Sequence, residues 1–408
     1  MTDWIVKGVG DVKKKMAIFL AVILFLDVVA LIALWIAPDN GNSLGIEADA
    51  PEYEADSAST TTAEQVFSRV SFVAVGDNLI HDTIYEQAAA RTSGDGYDFS
   101  YNYENVKNYI SEPDVAILNQ ETIISTEHNV SSYPTFNSPA ELGQKMLEIG
   151  FDVFNIATNH SLDKGEAGLI STINYWKEKN AITTGAYLNR ADMEPIRTNT
   201  VNGVTVAYLG FTELTNGLSL PEDSEVVLVR ARDEEVLKAR IEKAKTMADF
   251  VIVNAHWGVE YTHEPNEEQK QLAQKLAAWG ADVIIGTHPH VIQPLEFIDN
   301  EDGRRTLVAY SLGNFISAQN RGPTMLGGML NFELVKNNVT GKTSIENVDF
   351  SGVVTHYGQG YSNIRVYALD DYTEELANAH GVISKTSSFS KEYLENILTD
   401  VIDEQFLR

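Results

Sequence analysis

The stretch that decides the fold is VSFVAVGDN, residues 70–78, where an apolar run stops abruptly at a polar group. Its first six residues are rich in β-branched and aromatic side chains, which favours a buried β-strand. Gly76-Asp77-Asn78 ends the run, and His81 follows closely. Four further apolar runs, at residues 115–118, 153–157, 250–253 and 283–285, end in the same way. We therefore predict five short strands that each end in polar side chains.

Segments typical of helices lie between these strands, at residues 140–149, 167–179, 233–247 and 267–279. In the second of them Leu169, Ile170, Ile173 and Trp176 recur at helical spacing. Strands that alternate with helices predict an α/β fold with functional sites at the carboxyl ends of the strands. All five polar groups fall at such ends. Two further helices are predicted near the C-terminus, at residues 374–380 and 391–406.

The polar groups share one set of chemical functions: carboxylates, amides and imidazoles. They are Gly76-Asp77-Asn78, Asn119-Gln120-Glu121-Thr122, Thr158-Asn159-His160, the His256 to Glu260 segment, and Gly286-Thr287-His288-Pro289-His290. Each has an ordinary explanation alone, because Asn and Asp often form turns or helix caps. Together they favour a metal site. The chain has no cysteine, so the metal would be one that oxygen and imidazole ligands suit, such as Mn²⁺, Fe or Zn²⁺.

Two spacings sharpen this prediction. His288-Pro289-His290 places two imidazoles at i and i+2, which point the same way on an extended segment. In the segment that begins at Asn159, the amide carbonyl would bind metal, His160 would face the substrate, and Asp163 would orient the His160 ring. A helix cap before the following helix is an equal alternative for Asp163.

Composition limits the class of partner. The 408 residues include 30 Lys plus Arg and 58 Asp plus Glu, a formal net charge of −28. Nucleic-acid binding needs clustered basic residues, so we expect no nucleic-acid partner. Such a charge would also repel a polyanionic substrate unless bound cations intervene, which favours metal-mediated contact. Arg304, Arg305 and Arg321 are isolated basic residues near the last motifs.

The N-terminal region predicts a membrane anchor. Residues 16–36 are apolar with one charge, Asp27, and at about 1.5 Å per residue they are long enough to span a bilayer. Four lysines between residues 7 and 15 precede the run. The positive-inside rule then places residues 1–15 in the cytoplasm and the main domain outside the cell membrane. Residues 37–66 are acidic and are predicted to be a disordered linker. A cleaved signal peptide is the alternative, against which the length of the run argues.

The motifs resemble those of the CapA family, the bacterial poly-γ-glutamate capsule synthesis proteins. They are GDNLIHD (76–82), LNQET (118–122), NHSLDKG (159–165), HWGVEY (256–261), GTHPHVIQ (286–293) and YSLGNF (310–315). The resemblance runs from about residue 70 to 372 in the family's order. It implies a CapA-like domain at 67–335, a C-terminal extension at 336–408, and a single-pass anchor. The implied partners are the lipid bilayer, other capsule-synthesis membrane subunits, and an anionic polymer or phosphoester substrate.

CapA-like domains are similar to calcineurin-like metallophosphoesterases, so the resemblance also implies a two-sheet αββα sandwich and a dinuclear metal site. By motif, Asp77 and His290 would bind the first metal, Glu121 would bridge, and Asn159, His256 and His288 would bind the second. His160 would be the substrate-facing acid, with Asp163 behind it. The sequence departs from the pattern in two ways: position 79 is Leu rather than His, where His81 would substitute, and the bridging residue is Glu rather than Asp. A mononuclear site is the alternative.

Two functional hypotheses follow from these expectations. The first is an extracytoplasmic metal-dependent hydrolase that acts on a phosphoester or amide bond during capsule polymer synthesis or export. The second is a non-catalytic polymer-binding or scaffold subunit of a cell-envelope complex. Glu260 and Asn314 are further site candidates. Glu260 would support His256 and Asn314 would close the pocket, while a surface position and a simple chain turn are their alternatives.

Overall fold

The computed structural model describes residues 66–386 and 388–407. The predicted cytoplasmic segment, the predicted transmembrane anchor at 16–36 and nearly all of the predicted linker lie outside these residues. Among the helices that are described, none is long and apolar enough to cross a membrane.

Strands and helices alternate along the chain, as predicted. The strands are β1 (Phe67–Asn78), β2 (Val115–Asn119), β3 (Val153–Asn155), β4 (Ile182–Thr184), β5 (Ala186–Tyr187), β6 (Arg197–Val201), β7 (Val204–Thr212), β8 (Val227–Leu228), β9 (Phe250–His256), β10 (Val283–Thr287), β11 (Ile292–Asp299), β12 (Arg305–Leu312), β13 (Asn314–Ile316), β14 (Leu326–Asn337), β15 (Thr343–His356) and β16 (Arg365–Ala368). The α-helices are α1 (Asp82–Arg91), α2 (Ser100–Tyr103), α3 (Lys107–Ser111), α4 (Ala140–Ile149), α5 (Gly165–Glu178), α6 (Arg190–Met193), α7 (Glu234–Lys245), α8 (Glu267–Trp279), α9 (Glu374–Ala379) and α10 (Lys391–Val401).

Two main sheets organise these elements. The larger has the order β16-β15-β14-β1-β2-β3-β4, with β13 also paired to β1, and the smaller has the order β11-β12-β10-β9-β7-β6. Strands β1 to β4 are parallel, and so are β7, β9, β10 and β12. A separate pair joins β5 to β8. In both main sheets the polar groups found in the sequence lie at the carboxyl ends of the parallel strands.

The two main sheets pack face to face between layers of helices. In β9, Phe250 and Ile252 belong to the apolar core that the smaller sheet shares with the larger one. Val251 and Val253 point to the opposite face, where they join a second core with residues of α7 and α8. Helices α4 and α5 contribute to the first core from the outer face of the larger sheet, through side chains such as Trp176. This confirms the predicted αββα sandwich.

A close backbone approach positions the end of β1. A Cβ atom at Gly76 would lie 1.8 Å from the carbonyl oxygen of Gly313, so only glycine fits there. The amide of Asp77 donates to the same carbonyl at 2.8 Å. Asp77 is therefore in register with Asn314 on β13, and the two side chains enter the site together.

The C-terminal residues differ from the prediction in one respect. The helix predicted at 391–406 ends at Val401, because Ile402 takes an extended conformation and is buried. Asp403 then caps a short 3₁₀ turn at Glu404–Phe406, which is the usual role of an aspartate in that position. Strands β15 and β16 lie in the larger sheet, and the predicted domain boundary after residue 335 falls within β14.

Candidate metal centre

The carboxyl ends of the two sheets bring their polar side chains into direct contact. Asn119, the last residue of β2, lies 3.3 Å from the Nδ1 atom of His256, the last residue of β9. Asp77 from β1 lies 3.0 Å from Nδ1 of His290, which follows β10. One cluster therefore joins residues that are more than 100 positions apart in the sequence.

The Glu121 carboxylate occupies the centre of this cluster. It is fully buried, and neither oxygen has a hydrogen-bond partner among the described residues. Three imidazole Nε2 atoms surround its Oε1 atom, from His160 at 3.9 Å, His256 at 4.0 Å and His290 at 3.8 Å. These separations are too long for hydrogen bonds. Those to His256 and His290 match the distances of about 3–4 Å between two atoms that bind one metal through bonds of about 2.1 Å.

His288 adds another unpartnered group. Its Nδ1 atom is buried and has no hydrogen-bond partner within the described part of the chain. One ligand atom from each of Glu121, His288 and His290 lies within 4.8 Å of the other two; we call these three residues the triad. Buried polar atoms are normally paired, because an unpaired one costs free energy. The residues present therefore fit a bound cation.

The backbone of the His288-Pro289-His290 segment is not extended, contrary to the prediction. Strand β10 ends at Thr287, and φ is +99° at His288 and +61° at His290. Non-glycine residues in this left-handed region cost about 1–3 kcal/mol each. The turn is held by a hydrogen bond of 2.8 Å from the Tyr261 amide to the Pro289 carbonyl. The imidazoles converge because of this strained turn rather than through strand alternation.

Two side chains fix the orientation of His290. Its Nδ1 atom lies 3.0 Å from Oδ2 of Asp77 and 3.1 Å from Oδ1 of Asn314. Nδ1–H donates to these acceptors, so Nε2 is directed towards Glu121. The other Asp77 oxygen accepts a 2.8 Å hydrogen bond from Asn119. A carboxylate behind a metal-binding imidazole commonly fixes its tautomer in this way.

His256 and Asn159 form the adjoining part of the cluster. His256 Nε2 lies 3.0 Å from Asn159 Oδ1, and its Nδ1 lies 3.0 Å from the Thr287 hydroxyl. The Asn159 amide nitrogen donates to Oδ1 of Asn216 at 3.3 Å, which turns the Asn159 oxygen towards His256. The predicted residues of this half of the site therefore do come together.

His160 and Asp163 form a separate pair at the edge of the cluster. His160 Nδ1–H donates to Asp163 Oδ2 at 2.7 Å, and the same oxygen accepts the Phe136 amide at 2.6 Å. The Phe136 ring packs edge-on against His160, with 4.7 Å between ring centroids. The residue at the cap position of α5 is Lys164, and no side-chain cap is formed there. Asp163 thus contacts the imidazole rather than the helix terminus.

The electrostatics of the cluster reflect its two buried carboxylates. Burial raises the pKa of Glu121 well above its ordinary value, and the nearby Asp77 carboxylate raises it further. Burial opposes protonation of His290, but Glu121 and Asp77 outweigh it and raise the His290 pKa to about 9. Burial, assisted by His290, lowers the pKa of His288 to about 3. A divalent cation bound here would take the place of the protons that these shifts favour on Glu121 and His290, and His288 is already neutral.

Two of the predicted site residues, His81 and Glu260, lie at the border of the cluster. His81 packs edge-on against Phe136, and its Nδ1 accepts the Ala318 amide at 3.2 Å. Glu260 is exposed; burial raises the pKa of the adjacent Tyr261, and the Glu260 carboxylate raises it further. Both residues border the cluster, and neither belongs to the set of ligand atoms that lie within 4.8 Å of one another.

A known protein family matches the part of the chain that contains these site residues. The profile of the bacterial capsule synthesis protein PGA_cap family matches residues 71–319. The chain belongs to this family. It is 36% identical over 206 residues to the PGA biosynthesis protein CapA of Bacillus subtilis (strain 168), a match that covers 50% of this chain and 52% of that one. It is 32% identical over 253 residues to the capsule biosynthesis protein CapA of Bacillus anthracis, with 59% of each chain covered. The chain thus spans between half and three fifths of the length of these relatives.

Solved structures resemble the chain only distantly. The NAD nucleotidase NadN of Haemophilus influenzae superposes with a TM-score of 0.43 and 12% identity, over 82% of this chain and 60% of that one. A phosphatase from Mycoplasma pneumoniae superposes with a TM-score of 0.42 and 12% identity, over 71% of this chain and 94% of that one. Similarities at this level support no inference about the activity of this chain.

Several residues of the cluster were given no individual role in the sequence analysis, and two of them, Asn216 and Gln319, were not named there at all. Asn119 and Thr287 end strands inside recognised motifs, so their position was a usable signal. Asn216 lies in a loop and Gln319 follows β13; neither is next to a strand that ends in the cluster. Asn216 touches Asn159, and Gln319 touches Asn314. Contacts of this kind depend on loop conformation, which the sequence pattern does not encode.

Proposed function

We propose that this protein is a metal-dependent hydrolase of the cell envelope that acts on a phosphoester or amide bond in capsule polymer synthesis or export. One observation carries the proposal: a fully buried Glu121 carboxylate, unpartnered among the described residues, with three imidazole Nε2 atoms 3.8–4.0 Å away. The names of the two CapA relatives, which refer to capsule and PGA biosynthesis, support the capsule assignment. The anchor predicted at residues 16–36 supports an extracytoplasmic location and contact with the bilayer and other membrane subunits.

The residues that would hold the metal are those of the triad, with His256 and Asn159 beside them. Their carboxylate, imidazole and amide groups suit one or two ions of Mn²⁺, Fe or Zn²⁺. A metal in this position supplies Lewis acidity and lowers the pKa of a bound water molecule. In this proposal Asp77 and Asn314 contribute by holding the His290 tautomer, since both accept from its Nδ1–H.

His160 is proposed as the general acid. Its Nδ1–H is committed to Asp163, so its Nε2 atom is the one that faces the cluster, 3.9 Å from Glu121. A proton at this Nε2 would pass to the leaving group, a step that typically contributes 10²–10⁴-fold to the rate. Asp163 holds the ring through Nδ1, and the Phe136 ring packs edge-on against it. Asp163 is therefore a positioning residue in this scheme.

The test is hydrolysis by the full-length chain, supplied with Mn²⁺ or Zn²⁺, of bis-p-nitrophenyl phosphate and of a γ-glutamyl anilide. We expect a metal-dependent activity against one of them that EDTA removes. His160→Gln should lower kcat by about 10²-fold or more without changing the metal content. His128→Gln is the matched control, because His128 contacts Ser125 instead of the cluster, and it should stay within about twofold of the wild type.

A metal-loaded wild type that hydrolyses neither substrate would contradict the proposal. The non-catalytic polymer-binding or scaffold subunit would then be the better account. Equal loss of activity in His160→Gln and His128→Gln would contradict the assignment of the general acid.

A further inference from the structure

Arg321 lies at the protein surface near the metal centre. Its guanidinium carbon is 4.2 Å from the centre of the Tyr261 ring, and the Tyr261 ring is 6.0 Å from the His290 imidazole, centroid to centroid. Arg321 and Tyr261 are exposed, whereas His290 is buried. The Arg321 guanidinium, the Tyr261 ring and the His290 imidazole are therefore successive neighbours, from the exposed surface to the triad.

The loop that carries Arg321 is braced against the same residue that orients His290. The Asn314 amide nitrogen lies 2.9 Å from Oε1 of Gln319 and 3.1 Å from the Thr324 carbonyl, while Asn314 Oδ1 contacts His290. The Thr324 hydroxyl in turn donates to the Arg321 carbonyl at 2.9 Å. The position of Arg321 is thereby tied to the geometry of the site.

The donors of the Arg321 guanidinium are free for a ligand. Within the described part of the chain, no carboxylate oxygen lies within 4.0 Å of them, and they make no hydrogen bond. Arg304 and Arg305, by contrast, pair with Asp302 at 2.6 Å and Asp299 at 3.1 Å. A guanidinium that stacks on an aromatic ring uses its face, so its N–H groups stay available at the edge for bidentate contact with a planar anion.

We propose that Arg321, stacked on Tyr261, binds an anionic group of the substrate that lies next to the reacting group. The inference rests on the proposed function and specifies its substrate class. In a chain of net charge −28, with the Asp77 and Glu121 carboxylates inside the site, an anionic substrate needs positive charge near that site. Both a carboxylate and a phosphate match a guanidinium fork. A γ-linked glutamate oligomer carries a carboxylate beside each amide, and a diphosphate carries a second phosphate.

The experiment is isothermal titration of the full-length chain, loaded with Mn²⁺ and freed of excess metal, with tetra-γ-glutamate in one arm and pyrophosphate in the other. Arg321→Ala should weaken binding of one anion by about tenfold or more, and Arg321→Lys should restore part of it. Arg305→Ala is the matched control. Arg305 is also exposed and stacks at 4.0 Å on an aromatic ring, Phe297, but it begins β12 at the end of the strand remote from the site. The arm that responds identifies the anion, and metal content is measured before and after each titration.

Two results would overturn the inference: equal affinities for the wild type and Arg321→Ala, or no binding of either anion by the metal-loaded wild type. Hydrolysis of bis-p-nitrophenyl phosphate and of the γ-glutamyl anilide, measured on the same preparation, tests the proposed function separately. Binding through Arg321 without any hydrolysis would uphold the anion site and reject the hydrolase. Metal-dependent hydrolysis, combined with an Arg321→Ala variant that binds the anions as tightly as the wild type, would uphold the hydrolase and reject the anion site.

Discussion

Two pairs of buried histidines in this protein have nearly the same ring spacing and very different surroundings. In the metal centre the rings of His256 and His288 lie 4.9 Å apart, and near the C-terminus the rings of His356 and His380 lie 5.0 Å apart. Burial is also similar, since all four side chains are less than 8% exposed. Neither proximity nor burial distinguishes the two pairs.

Hydrogen-bond partners do distinguish one member of each pair, His380 from His288. His380 donates from Nε2 to the Thr355 carbonyl at 2.9 Å and accepts at Nδ1 from the Val382 amide at 3.0 Å. A neutral imidazole has one donor and one acceptor, so this ring is fully satisfied. His288 has a buried Nδ1 atom without a partner among the described residues. An unpartnered ring nitrogen therefore separates His288 from His380. His256, whose two ring nitrogens lie 3.0 Å from Asn159 and Thr287, is assigned to the site by its position beside Glu121.

The largest expected difference between the two pairs is in activity. His288→Ala should reduce metal-dependent hydrolysis by about 10³-fold or more, because it removes a ligand of the triad. His356→Phe should leave the rate within about twofold, because His356 contacts Tyr372 and lies apart from the triad. Initial rates under saturating Mn²⁺ measure both. Similar losses of activity in the two variants would show that His288 is no more important for hydrolysis than His356.

The second difference is in stability. His380→Leu should lower the free energy of unfolding by about 2–4 kcal/mol, because it leaves the Thr355 carbonyl and the Val382 amide without their partners. Urea unfolding followed by circular dichroism gives the value. Metal content per folded chain should not change in this variant. A loss below about 0.5 kcal/mol would mean that the satisfied pair is not structural.

The third difference concerns the metal-free protein. Glu121→Gln should raise the free energy of unfolding by about 1–2 kcal/mol in EDTA, because it replaces an unpaired buried carboxylate with a neutral group of the same shape. Added Mn²⁺ should stabilise the wild type and leave the variant unchanged. The measurement is urea unfolding with and without metal. A variant that is less stable than the wild type in EDTA would contradict this account of Glu121.

The fourth expected difference is in pH dependence. Burial lowers the pKa of His356 and of His380 to about 4, below the ordinary value of about 6.5 in the unfolded chain. Their stabilising contribution is thus complete above pH 6.5 and is lost as the pH falls towards 4, with a slope of up to about 1.4 kcal/mol per pH unit for each. His380→Leu should flatten this slope. Contributions from the metal-centre histidines cancel in the difference, and identical slopes in both proteins would refute the prediction.

Sequence pattern predicted the layout of the fold because the parallel strands are buried on both faces. Such strands appear as short apolar runs, and their carboxyl ends were marked by Asp77, Glu121 and His256. The ends of helices were harder to place. The predicted helix from 391 to 406 ends early, because Ile402 is buried in an extended conformation, and its sequence looks like that of any amphipathic helix.

The candidate site was predictable in membership but not in detail. The residues at strand ends were found because topology brings those ends together. The left-handed turn at His288 and His290 was not found, since it is fixed by tertiary contacts such as the Tyr261 amide with the Pro289 carbonyl. Asp77 was expected to bind metal by resemblance, and in the structure it accepts from His290 and Asn119. Which oxygen faces which donor depends on side-chain geometry that spacing alone does not determine.

The most direct measurement of the central claim is the metal content of the purified full-length chain by elemental mass spectrometry. It should compare the wild type with Glu121→Gln and, as the control from the satisfied pair, His380→Leu. We predict about one or two ions of Mn, Fe or Zn per chain in the wild type and in His380→Leu, and almost none in Glu121→Gln. A wild type that stays metal-free after reconstitution, or a Glu121→Gln variant that retains the full metal content, would contradict the account.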